Sequence, residues 1–98
     1  MSFFINVDTG HVATRSQLVD AGLTSSHEPP ALPWHPLQGS GDATTALYSV
    51  LRKQVRGRER DAWIGMLCLR HGDRQASLER EGWQEVPVDE IRAGPVAR

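Results

Sequence analysis

A chain of 98 residues, 39% of them apolar, suffices for one domain around one core, with roughly 65% of the unfolded surface buried on folding. A net charge of −1 excludes a globally basic nucleic-acid binder, and the longest apolar run, Ala62–Leu69, is far too short for a membrane span. Cys68 is the only cysteine, which excludes an intramolecular disulfide and fits a reducing, cytoplasmic compartment or the interior of an assembled particle.

The opening stretch "MSFFINV" lacks a basic region, so no secretory signal is expected. Phe3, Ile5 and Val7 alternate with Phe4 and Asn6, which predicts a strand; Asp8-Thr9-Gly10 and the short run His11–Thr14 complete a β-hairpin. Thr14 or Ser16 can cap a short helix carrying Leu18, Val19 and Ala21. Gly22 stands where a helix end wants left-handed backbone. Residues 23–42 show no period and hold four of the six prolines. A structureless stretch of that length is unusual inside a compact domain, so a binding segment, an arm or a piece pinned across the core is expected there.

Asp42 suits an N-cap, and Ala43, Leu47, Val50, Leu51 and Val55 share a helical face, so a helix is predicted over about 43–56, ended by Gly57. Ala62–Leu69 is richer in Met, Leu, Ala and Cys than in β-branched residues and follows charged helix formers. The run fits a buried strand or a buried helix, and its composition favours a helix, ended by Gly72. Asp73 is expected to cap a third helix through Glu81, with Gly82 as its stop. "WQEVPV" reads as extended, and Pro87 confines it to a sheet edge or to no sheet at all; residues 89–98 are expected to form a partly mobile tail. The predicted fold is one α+β domain over 1–98: an N-terminal β-hairpin, three to four short helices and a long proline-rich arm.

The charge is unevenly placed. Residues 1–50 carry one arginine against four acids, and residues 51–98 carry ten basic residues against eight acids. Arg52, Lys53, Arg56, Arg58 and Arg60 form a local basic segment that could meet phosphates from a helix face, so a small nucleic-acid-binding protein is the alternative function. Glu59 and Asp61 can pair with that row, and no aromatic residues interleave with it.

Asp8-Thr9-Gly10 resembles the triplet that carries the catalytic carboxylate of aspartic proteases, and Trp63-Ile64-Gly65 loosely resembles that family's apolar-apolar-Gly segment. The resemblance implies two such carboxylates sharing a proton, one per half-site. His11 follows where that family has Ser or Ala, and few residues precede Asp8, so the triplet is expected to punctuate the hairpin, with Gly10 at positive φ. Cys68 and His71 would share a helix face, but no Cys-x-x-Cys or His-x-x-x-His pair anchors a zinc site around them. No Gly-x-Ser-x-Gly elbow occurs. Neither enzyme chemistry, a cofactor nor a metal is expected.

The proline segment carries the leading expectation. Pro30-x-x-Pro33 and Pro33-x-x-Pro36 have polyproline spacing, with Leu32, Trp34 and Leu37 as apolar anchors. The chain is therefore expected to be a non-enzymatic assembly subunit, of the kind a phage or an operon encodes, that docks on a partner or sister subunit through Pro30, Leu32, Pro33, Trp34, Pro36 and Leu37. Replacing Trp34 with Ala should then weaken assembly and leave the fold largely intact. The competing expectation is that Trp34 tucks into the chain's own core.

Overall fold

The computed structural model describes residues 2–37 and 47–95. Strands β1 (Phe3–Asn6) and β2 (Val12–Thr14) pair as the predicted hairpin, with Phe4 opposite Ala13. Asn6 organises the turn rather than Asp8: its Oδ1 accepts from the backbone N–H of Asp8 at 2.9 Å and of Thr9 at 3.2 Å. Gly10 supplies the φ of 82° that closes it.

Helix α1 (Arg15–Asp20) follows at once. Thr14 and Gln17 form a reciprocal capping box, with Gln17 N–H donating to Thr14 Oγ1 and Thr14 N–H to Gln17 Oε1. The Gln17 amide also donates to the Ile91 carbonyl at 2.7 Å, so one side chain both starts this helix and ties it to the far end of the chain. Strand β3 (Trp34–Pro36) then lies antiparallel on β1, giving a first sheet in the order β2-β1-β3.

Two of the predicted helices are strands. Residues 48–55, inside the expected 43–56 helix, form β4 (Tyr48–Val55), and the expected helix over 62–69 is β5 (Ala62–Leu69). Asp42 and residues 43–46 lie outside the described residues. The two strands pair along their whole length, Tyr48 with Leu69 through Val55 with Ala62. The physical reason for the correction is that both faces of this ribbon are covered. Val50 and Leu67 join a central core with Phe3, Ile5, Val12, Leu37, Val86 and Ile91, while Leu51 and Cys68 pack on the other side with Leu78. Apolar residues on both faces hide the period of two, which makes such a strand look like a helix in sequence.

Helix α2 (Asp73–Arg80) covers the second face. Its N-cap is Gly72, not Asp73, and Asp73 is its first helical residue. Gly82, at φ 103°, ends the helix region as expected, and Trp83 N–H turns back to the Leu78 carbonyl at 3.0 Å. Strand β6 (Gln84–Glu85) pairs with β4 at the edge of the second sheet, in the order β5-β4-β6, where Pro87 costs no ladder bond. The expected tail is not wholly loose: α3 (Val88–Ala93) takes up its first residues, and Ile91 enters the central core.

The central core therefore lies between two small antiparallel sheets. Each of its fully buried large side chains contributes about 1.5–3 kcal/mol. Gly10 and Gly65 permit this approach. A Cβ on Gly65 would run into Leu37 and Ile5, and one on Gly10 would stand 2.8 Å from Trp63 Cδ2. Trp63 N–H donates to the Val7 carbonyl at 2.8 Å, joining the two sheets by their backbones.

Gly10→Ala combines positive φ with this clash. Urea unfolding is expected to show a loss of about 1–3 kcal/mol, whereas Gly22→Ala, where a Cβ meets nothing, is expected to lose no more than about 1 kcal/mol.

Candidate functional site

Strand β1 presents two faces. Phe3 and Ile5 enter the central core, while Phe4 packs with Ala13, Leu18 and Trp34 on the outer side. Arg15, the first residue of α1, is placed beside this outer face. Its guanidinium lies 5.1 Å from the centroid of the Phe4 ring. Nη1 donates to the carbonyls of Ser25 at 3.0 Å and Glu28 at 2.6 Å. The loop preceding the prolines is thereby fastened to the helix start. Thr24 Oγ1 also donates to the Glu28 carbonyl, and Ser25 Oγ donates to the Glu28 carboxylate at 3.0 Å.

The prolines close the outer face into a groove of about 380 Å³ lined by Phe4, Arg15, Pro30, Leu32, Trp34 and Pro36, among others. A second groove of about 420 Å³ shares Ser2 and Arg15 with it and continues past Val19 and Asp20. Arg15 thus stands where the two meet. On the other side of the His35–Pro36 pair a third groove, of about 330 Å³, is lined by Ile5, Trp63 and Gly65.

This arrangement corrects the picture of a free arm. Trp34 is buried with Phe4, Ala13 and Leu18, and Leu37 is in the central core, so neither projects as an anchor. Pro33 is half-buried and its carbonyl accepts from Val7 N–H at 2.8 Å. Trp34–Pro36 pair with β1 as a strand. Of the expected partner-binding residues, the structure brings Pro30, Leu32, Trp34 and Pro36 together around one groove and sends Leu37 elsewhere. Leu32 remains 73% exposed. Sequence reasoning missed Arg15 and Phe4. The available signal was that Arg15 is the one Lys or Arg before Arg52.

The basic segment is dispersed. No helix aligns it. Arg52 points inward and makes a two-pronged ion pair with Glu90 at 2.5 and 3.3 Å, donates to the Gly10 carbonyl at 2.8 Å, and stacks 5.5 Å from the Trp63 ring centroid. Lys53 Nζ donates to the Glu81 carbonyl at 2.9 Å. Arg60 pairs with Asp8 at 3.4 Å. Arg56 and Arg58 remain exposed at the β4–β5 turn.

Other chemistry-bearing groups are used structurally. Glu85 accepts from Ser49 Oγ, Arg70 Nη1 and Gln75 Nε2, which knots β4, β6 and α2 together. Burial pushes the Cys68 thiol up from its ordinary value, which keeps it protonated at neutral pH. His71 is at φ 59° in the turn before α2, with its backbone N–H on Gln75 Oε1, rather than at a helix C-terminus. Among the described residues no three His, Cys, Asp or Glu side chains gather closely enough to hold a metal ion. Among the same residues, no helix is long and apolar enough to cross a membrane.

Compared with known proteins, the chain matches no family model, and neither a curated protein nor a solved structure matches it significantly.

The buried position of Trp34 reverses the expectation for its removal. Trp34→Ala is expected to cost about 3–5 kcal/mol in urea unfolding, a large part of a small domain's stability. An unfolding midpoint equal to that of the unchanged chain would show the segment to be detached from the sheet.

Proposed function

We propose that this chain is a non-enzymatic protein-interaction subunit that receives a segment of a partner protein in the groove walled by Pro29–Pro36. The observation that carries the reading is Leu32. It is a large apolar side chain, 73% exposed, on the rim of a groove whose floor includes the Phe4 and Trp34 rings. An exposed leucine beside aromatic and proline surface is the composition of a peptide-binding groove, where apolar contact supplies affinity and a stiff wall lowers the entropy cost of binding. Here the prolines are the receiving surface rather than the inserted element.

Selection from a library of random short peptides displayed on phage tests this directly. Peptides enriched on the folded chain are expected to lose binding at least about ten-fold to Leu32→Asp, because truncation at an interface hot spot costs upward of about 2 kcal/mol. Leu32→Asp is expected to leave the thermal midpoint unchanged, since the side chain is already in water. Equal binding to both forms would count against the groove as the docking surface.

The second reading, nucleic-acid binding, rests on Arg56, Arg58 and Arg60, exposed at or beside the β4–β5 turn. With at most three such cations, log affinity for duplex DNA should fall against log salt with a slope no steeper than about −3. Absence of binding at low salt would remove this reading.

A further inference from the structure

Arg15 has a charge that the described chain leaves unmatched. The ion pairs among the described residues use Arg52, Arg60, Arg70 and Arg92, and none reaches Arg15. Its guanidinium is nevertheless held in place, by the Phe4 ring below it and by the Ser25 and Glu28 carbonyls on Nη1. Those two contacts use the Nη1 donors and leave Nε and Nη2 without a partner among the described residues. The Nε–Nη2 edge is the one an arginine offers side-on to a carboxylate, with two parallel hydrogen bonds. Arg15 lines both the groove beside the prolines and the groove beside α1. No carboxylate side chain lines the first groove; Asp20 lines the second.

Resting on the interaction reading above, we infer that the bound partner segment carries an Asp or Glu side chain, with apolar residues on its proline-facing side, whose carboxylate pairs with Arg15. Charge complementarity selects the carboxylate: a fixed cation in a groove with apolar walls binds an anion with little loss of its own side-chain freedom. The position of Arg15 selects the source. The grooves extend to both sides of it, so a segment running through them meets Arg15 part-way along its length. A side-chain carboxylate fits that placement, whereas a chain terminus would fill one groove and stop. The apolar flank meets Pro30, Leu32 and Trp34 in the first groove, and the other flank runs past Val19 among Ser16, Asp20 and Ser26.

The same displayed peptides, synthesised with both termini blocked, test this. The enriched sequences are expected to contain Asp or Glu beside apolar residues. Changing that acid to Asn or Gln in the peptide is expected to weaken binding about ten-fold or more, as is Arg15→Gln in the protein, and the two changes together should cost no more than either alone. The peptide-side change leaves the protein's fold untouched, so the test stands even if Arg15→Gln loosens the loop. Peptides lost to Leu32→Asp but indifferent to the acid would overturn the Arg15 pairing and keep the interaction reading. Peptides that bind only with a free C-terminal carboxylate would overturn the choice of a side-chain acid. Peptides indifferent to Leu32→Asp would remove both.

Discussion

Everything in this fold hangs on the β4–β5 ribbon being covered on both faces. One face carries Val50 and Leu67 against the first sheet, and the other carries Leu51 and Cys68 against α2. The first contact demands close approach, which Gly65 and Gly10 permit by having no side chain. Once the sheets meet, Val7 and Trp63 can share a backbone hydrogen bond, and Arg52 can reach across to Glu90 and the Gly10 carbonyl. That arginine is an organiser of the interior. Its position is dictated by a strand that must bury one neighbour, Leu51, on the opposite face.

The same constraint explains which parts of the fold were legible in the sequence. The N-terminal hairpin was, because β1 ends in a strong turn and its side chains alternate. Thr14 was legible as one of two possible caps, with Ser16, because cap preference is local chemistry; the reciprocal bond with Gln17 shows only in the structure. Pro87 narrowed the segment before it to a sheet edge or no sheet, and β6 is the edge. The β4 strand was not legible, and β5 was open to both strand and helix with helix favoured. Their apolar residues fall on both faces, so Val50-Leu51 and Leu67-Cys68 read as helix-like clusters, and only the partner elements reveal the alternation. The role of Asn6 was not legible because Asp8 and Gly10 are equally good turn residues, and only the structure shows which side chain accepts from the turn's N–H groups.

The candidate site was half legible. Proline spacing marked the segment that walls the groove, and Pro30 and Leu32 do line it. Trp34 and Leu37 were assigned the wrong direction because one sequence can route two bulky residues outward to a partner or inward to its own sheet, and spacing does not choose between them. The choice is made by β1: its outer face would leave Phe4, Ala13 and Leu18 uncovered, and Trp34 is the residue that covers them. Arg15 was faint for a related reason, marked only as the one Lys or Arg before Arg52. Its importance comes from lying over Phe4 and under the Ser25–Glu28 loop, contacts set by tertiary placement.

In this account function follows from a division of labour along β1. The inner face builds the core, and the outer face, roofed by Trp34 and fenced by prolines, builds a groove with a held cation at its junction. All of it depends on the 33–37 segment being part of the sheet. Native-state hydrogen exchange at Val7 and Leu37 tests that most directly, because their amides donate to the Pro33 and Phe3 carbonyls at 2.8 and 3.1 Å. Protection comparable to that of the β4–β5 amides is the predicted result. Unprotected exchange at Val7 and Leu37 while β4 and β5 stay protected would show the proline segment to be a detached arm and would contradict the groove it is held to form.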